Sequence, residues 1–405
     1  MNWWRPLLLA GSISSALAGD IDSASLLSRV QSKVRDNARR IPRYVCRQRI
    51  EREGFASVNP SSRACGTLPE QGLMNGPGLS LVVSDRAHLD VMLTENSEQF
   101  SWPGGRRFDA NSPDDLLVGG MSGSGDFATF LISVFTFDQV TFEFLGACQG
   151  GSCVRYRYNV PLEVSRYLVK GTLSEAIVGY HGTFDIDPQS ADLIQMTVVP
   201  NNLSLVLFEA CDFRTRMTYT RTTMEAGEFM IPESTEMEYL DENGSYSLNH
   251  ISYEGCRQYR SESVLTFGDD SAGTTVDRQA KVSAALPVTG SELRLRLASR
   301  IDSDFGSAGD SLEATLVRSV RDTEGGTIPA GTIVGGHLAQ LERVYFPQRQ
   351  VVIAVRFDTI VLKGAPVPLR VDPIGKMDPL GRGVFSFPGQ RVVLDKQFVS
   401  RWHVR

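Results

Sequence analysis

Apolar and polar residues alternate with a period of two along much of this chain, most clearly over residues 154–199. Val154, Tyr156, Tyr158 and Val160 fall on one side of a run, and Arg155 and Arg157 fall on the other. Over residues 177–186, His181, Thr183 and Asp185 share one side, with Tyr180, Gly182, Phe184 and Ile186 opposite. Residues 193–199 form a third run. Alternation of this kind marks half-buried strands. Asp187-Pro188-Gln189-Ser190 is a turn, since proline presets φ and the aspartate bonds its own backbone. Together the runs predict an antiparallel meander with one covered face.

The same reading extends in both directions. Residues 23–40 place Leu26 or Leu27, Val30, Val34 and Ala38 at helical spacing, with Asp22 or Ser23 as cap and Pro42 as stop. This helix reads as one that packs on a core. Strands are predicted at 44–53, 79–83, 88–94, 140–145, 167–170, 203–209, 212–223, 228–240, 245–253 and 257–267, with Asn243-Gly244 as a hairpin turn. Residues 126–135 predict a short helix with Phe127, Phe130, Leu131, Val134 and Phe135 turned inward. Residues 268–285 lack large apolar side chains and read as a linker. Beyond it, short strands at 293–297, 312–320, 332–344, 351–361, 384–387 and 391–394, separated by Gly/Pro turns, predict a small β-barrel or sandwich over 286–405.

Composition narrows the class. The 405 residues are 41% hydrophobic and 22% charged, as in ordinary globular proteins. A net charge of −6 argues against a nucleic-acid binder. Residues 1–18 read as a signal peptide: Arg5 gives a positive start, an apolar stretch follows, and Ala16-Leu17-Ala18 supplies the cleavage site. No later stretch is apolar enough for an integral membrane segment. An exported chain in the periplasm or cell envelope is the expectation. Cys46, Cys65, Cys148, Cys153, Cys211 and Cys256 fit an oxidising compartment and read as disulfides. Sequential pairing (46–65, 148–153, 211–256) is expected among the many that six cysteines allow.

Candidate chemistry is sparse. No G-x-S-x-G or H-E-x-x-H occurs, so no catalytic residue, metal site or cofactor is assigned. His181 and Asp185 share a strand side but stand roughly 13 Å apart at 3.3 Å per residue, too far for one metal. Asp302, Asp304, Asp310 and Glu313 fall at calcium-loop spacing, yet glycine comes one position early and the flanks are strand-like. Gly119–Gly125 (GGMSGSG) lacks the strand before it and the acidic residue after it that a nucleotide site requires. Arg39, Arg40, Arg43, Arg47, Arg49 and Arg52 cluster near the mature N-terminus, as a solvated face or an anionic-lipid contact.

Two resemblances follow from particular stretches. Residues 156–199, with VGYHGTFDIDPQSADLIQMTV, and residues 238–259, with SLNHISYEGCRQY, resemble the bacterial lipoprotein-carrier (LolA/LolB-like) superfamily and the related sigma-factor-regulator sensor domain. That resemblance implies a curved antiparallel half-barrel wrapping helices over 19–267, with a concave side that takes acyl chains or a partner protein. Residues 301–336 are similar to the C-terminal β-barrel domain of TrbI-type conjugation proteins, which implies a barrel there. The chain as a whole is therefore expected to be mainly β, a half-barrel with a few packed helices followed by a small barrel or sandwich. The expected role is non-enzymatic binding of a lipid, lipoprotein acyl chain or peptide, lined by Tyr156, Tyr158, Phe184, Ile186, Tyr219 and Tyr253. A structural envelope protein, meeting an envelope partner through its C-terminal barrel, is the alternative.

Overall fold

The computed structural model describes residues 22–57, 68, 78–93, 97–105, 107–123, 129–148, 150–171, 174–207, 209–259 and 285–405. The expected signal peptide, Cys65, Phe127 and all but the last residue of the expected linker lie outside the described residues.

The first part contains α1 (Ser23–Arg40), β1 (Tyr44–Ser57), β2 (Leu79–Leu93), β3 (Glu98–Ser101), a 3-10 turn at Pro113–Asp115 and α2 (Thr129–Thr136). It continues through β4 (Thr141–Ala147), β5 (Val154–Val160), β6 (Tyr167–Lys170), β7 (Glu175–Val178), β8 (Tyr180–Ile186) and β9 (Leu193–Pro200). It closes with α3 (Leu203–Val206), β10 (Ala210–Met224), β11 (Gly227–Asp241) and β12 (Tyr246–Gln258). Antiparallel ladders order these strands β4-β5-β8-β9-β10-β11-β12-β1-β2-β3. β6 and β7 form a hairpin of their own.

Direct cross-strand partners point to the same face of a sheet. One row can therefore be followed across nine strands: Phe144, Tyr156, Phe184, Met196, Met217, Thr235, Ile251, Ile50 and Ala87. All but Phe144 are buried. A single concave face thus runs from β4 to β2. Its β4 end packs against Leu26 and Val30 of α1 and Leu131, Val134 and Phe135 of α2.

α1 follows its sequence pattern: Asp22 caps the first turn by accepting from the Ser25 amide, and Leu26 and Val30 form the buried stripe. Polar ties fix it to the sheet. Arg29 and Lys33 donate to the Gln189 and Ser190 carbonyls of the β8–β9 turn, and Asn37 exchanges hydrogen bonds with Met230. That turn forms as predicted, with Asp187 accepting from the Gln189 and Ser190 amides.

The second part holds β13 (Glu292–Leu297), β14 (Ile301–Asp302), β15 (Ser311–Leu316), β16 (Val320–Arg321), β17 (Thr327–Ile328) and β18 (Ile333–Val344). β19 (Gln350–Leu362), β20 (Ala365–Pro368), β21 (Val371–Pro373), β22 (Gly383–Pro388), β23 (Val393–Leu394) and β24 (Val399–Val404) complete it. Its curved sheet encloses a core of Leu293, Leu295, Leu312, Ile353, Phe357 and Trp402. A regular closed barrel does not form. The chain after β19 changes partner midway, with β20 on β19 and β21 on β24. Pro366, Pro368 and Pro373 leave that corner short of ladder donors.

β2 joins the two parts. It pairs with β1 and, over Val83–Asp85, with Val344–Glu342 of β18. Ala308 bridges Ala87 beside that ladder, with the His88 amide donating to the Ala308 carbonyl at 2.7 Å. The polar run at 84–87, which predicts a break between two strands, lies within one continuous strand. Here Asp85 is bound by Arg52, and Arg86 donates to the Asp304 carbonyl at 2.6 Å. The 203–209 strand is likewise corrected, since residues 203–206 form a helical turn.

Cysteine pairing differs from the sequential expectation. Cys46 is bonded to Cys256, because β1 and β12 are neighbours that bring their Cα atoms to 4.1 Å. Cys148–Cys153 closes the β4–β5 hairpin as expected. Cys211 is disulfide-bonded, and with Cys256 taken by Cys46 the expected 211–256 bond does not form.

Candidate functional site: a covered concave face

The β4 end of the concave face is aromatic. Tyr156 and Phe184 stack at 5.3 Å, Phe135 of α2 meets Phe184 edge-on at 5.0 Å, and Phe144 leans on Tyr156 at 5.1 Å. Tyr158 extends the cluster to Tyr180, and Tyr167 follows. Gly182 makes this packing feasible, because a Cβ there would sit 2.9 Å from the Tyr158 hydroxyl and would overlap the Thr197 carbonyl. The Tyr158 hydroxyl instead donates to that carbonyl at 2.6 Å. Burial raises the Tyr158 pKa well above the ordinary phenol value and pushes Tyr180 up to about 12. These phenols stay neutral at physiological pH, so the cluster offers shape and apolar contact rather than acid–base chemistry.

Of the residues expected to line the face, Tyr156, Tyr158, Phe184, Ile186 and Tyr219 belong to this one cluster. All five are buried under α1 and α2. Tyr253 packs in a separate cluster around Ile50 and Leu89. Phe142, Phe144 and Phe135 complete the aromatic surface and were not assigned to it from sequence. The TFEF alternation in β4 is the signal that places the first two. Phe144, at 40% exposure, is the accessible lip of the face, on a strand paired with β5.

Toward β1 and β2 the face turns polar. Arg52 forks onto Asp85, with Nε donating to Oδ1 at 2.7 Å. Gln48, Asn249 and Thr235 are buried nearby, and Gln48 Oε1, Asn249 Oδ1 and Thr235 Oγ1 have no hydrogen-bond partner among the described residues. Acceptors buried without partners are rare and carry a desolvation penalty. Asp85 lies across the β2–β18 ladder from Glu342. Burial and the Asp85 charge raise the Glu342 pKa above the ordinary glutamate range. The native state therefore binds this proton more tightly than the unfolded chain, and stability rises as pH falls through the raised native value. Glu342→Gln is expected to raise the melting temperature at neutral pH, with the gap closing in acidic buffer. A pH series of thermal melts of the two proteins checks this.

Residues 107–123 cross this polar half as a strap. Ser112 and Asp115 form a capping box around its 3-10 turn, and Ser122 bonds Asp114. Leu117 is buried among the core side chains of β1 and β2. The strap's carbonyls are held from below. Arg52 donates to Gly119 and Val118, and Asn249 Nδ2 donates to Met121 at 3.0 Å. Gly119 and Gly120 have φ of 67° and 71°, and a Cβ on Gly120 would meet the Arg52 guanidinium at 2.9 Å. Only glycine allows the backbone to lie flat on the arginine. Residues 119–123 thus lie as a cover over the concave side.

The other candidates disperse. His181 bonds Asn201, while Asp185 is held by Arg155 on both oxygens. Asp302 and Asp304 are bound by arginines: Arg391 reaches both, and Arg343 reaches Asp304. Asp310 faces His88. The arginine cluster also separates, with Arg52 inside, Arg47 outside on Asp90, and Arg40 over the Phe229 ring.

No family model matches the chain, and no curated protein matches it. Among solved structures it is similar to the crystal structure of a LolA superfamily protein from Nitrosomonas europaea. The two are 9% identical, the match covers 59% of this chain and 94% of that one, and the TM-score is 0.20. No helix among the described residues is long and apolar enough to cross a membrane.

Proposed function

We propose that this chain is a non-enzymatic, exported binding protein of the cell envelope. Its concave face takes an amphipathic ligand, a lipid, lipoprotein acyl chain or peptide, when α2 and the strap move aside. One observation carries the reading: the face is covered by two helices and a glycine-rich strap, rather than by a second sheet. The covered surface is itself amphipathic. The aromatic row suits an apolar chain, and the oxygens of Gln48, Asn249 and Thr235, without partners among the described residues, suit a head group that donates hydrogen bonds. Native mass spectrometry of the periplasmically expressed protein, with solvent extraction, tests this. The expected result is a bound mass of lipid or peptide size that extraction removes. A clean apo mass, together with no uptake of the amphipathic fluorophore 1-anilinonaphthalene-8-sulfonate, overturns it.

A second reading, a structural envelope protein assembling through residues 286–405, is favoured by a different observation. Phe305 and Phe346 stand 78% and 68% exposed on that part. Phe305 lies at a cavity of about 450 Å³ that Leu312, Leu338 and Arg391 also line. An oligomer without ligand in the same native spectrum would support this reading.

A further inference from the structure

We propose that the C-terminal part is the latch of the strap, and that Arg382 is its bolt. Arg382 belongs to the second part, yet its Nη1 donates at 2.7 Å to the Leu116 carbonyl, just after the strap's 3-10 turn. It is 2% exposed and the bond is part-buried, so this charge-assisted hydrogen bond is stronger than one at the open surface. The arginine is held ready by its own part: Asp378 receives its Nε, and the Ala339 carbonyl of β18 receives Nη1 at 3.2 Å. Losing Leu116 would therefore leave Arg382 anchored. Losing Arg382 would leave the Leu116 carbonyl without this donor. The third nitrogen, Nη2, is buried with no partner among the described residues. The guanidinium therefore serves the joint through Nε and Nη1, with both N–H groups of Nη2 unused among the described residues.

Two buried arginines thus hold neighbouring strap carbonyls, one from each part. Arg382 takes Leu116 from the second part, and Arg52 takes Val118 and Gly119 from the first. The joint around them is built from both parts. Trp102 packs on the β18–β19–β22 cluster of Ala339, Ala354 and Val384, and its ring lies 4.6 Å from that of His337. β2 itself is shared between the two sheets. A displacement of the second part that withdraws Arg382 would free the strap at Leu116. A concave face closed in this way would open in response to what the C-terminal part meets, and the strap would set the coupling between them. The latch rests on the reading of the concave face as a binding face only for its purpose; its mechanics stand on the geometry alone.

Hydrogen exchange of the full-length protein tests the latch, using Arg382→Lys and Arg382→Gln. The amides of Leu116 and Leu117 both donate to Pro113, so they report opening of the strap's turn. The expected result is exchange faster by about tenfold or more at these amides, as the loss of one buried charged bond implies. Exchange in β5, β8 and β13 is expected to stay at the wild-type rate. Lysine should recover part of the protection, since it keeps the charge without the fork. Unchanged strap exchange in a folded variant overturns the latch. So does a uniform rise across both sheets, which would make Arg382 a plain structural contact. Fluorescence of 1-anilinonaphthalene-8-sulfonate separates the two readings. Faster strap exchange with new dye binding supports both, whereas faster exchange without dye binding supports the latch and counts against the concave face as a binding surface.

Discussion

Arg52→Ala is expected to destabilise the protein by about 3–5 kcal/mol, the range for removing one partner of a buried ion pair. Arg52 and Asp85 are both at least nine-tenths buried. Without the guanidinium, the Asp85 carboxylate faces Glu342 across the β2–β18 ladder with no counter-charge at that point. Two like charges would then share a site shielded from water. The strap loses its hold on Val118 and Gly119 in the same step. Arg52→Lys should fall between the two proteins, because an ammonium keeps the charge but cannot reach both the carboxylate and the carbonyls as a fork does. The double variant Arg52→Met/Asp85→Leu should regain much of the loss, since it leaves no orphaned charge. Urea unfolding of the four proteins measures this. A loss near zero for Arg52→Ala would show that water reaches Asp85 and that the joint is not a dry one.

Much of the sheet was legible in the chain, because strand alternation depends on local chemistry. Tyr156, Tyr158, Phe184 and Ile186 fall on the covered side in sequence, and register places them there. The aspartate-proline turn and the α1 cap are equally local. What escaped depends on partners far along the chain. The Ser84–Arg86 run looks like a break until β18 and Arg52 arrive to satisfy it. The glycine stretch at 119–123 reads as a loose loop. The donors to the strap's carbonyls lie 67 positions from Gly119, at Arg52, and 266 from Leu116, at Arg382, a relation no periodicity encodes. Tyr253 has the right residue type for an aromatic lining, yet register sets it opposite Gln48, on β12, away from β5. The apolar cluster and the helices over it were therefore readable, and the strap over the polar half was not.

Removing the Cys46–Cys256 bond is expected to cost about 5 kcal/mol, and removing Cys148–Cys153 about 2 kcal/mol, if closure of the unfolded chain dominates. The difference follows from sequence separations of 210 and 5. Position adds to it. β12 pairs with β1 on one side and β11 on the other, and the bond joins it to β1 at a bulge, where register shifts between Val45 and Arg47. There Gly255, with φ of 60°, and Cys256 fall between the paired residues Glu254 and Arg257. A bulge interrupts the ladder hydrogen bonds, so the covalent bond secures the point where β1 and β12 are least held. Cys46 is fully buried beside the concave core, and its double variant also gives up packing there. Cys148→Ala/Cys153→Ala leaves a hairpin that five further β4–β5 register pairs still hold beyond the Ala147–Val154 pair. Denaturant unfolding of Cys46→Ala/Cys256→Ala and Cys148→Ala/Cys153→Ala compares them, with intact mass confirming that the remaining cysteines stay oxidised. Equal losses would sink the loop-closure account and shift the explanation to strain or residual structure in the unfolded chain. A larger loss for the long closure, with faster hydrogen exchange in β1 and β12, would identify this bond as what holds together the sheet that the strap covers.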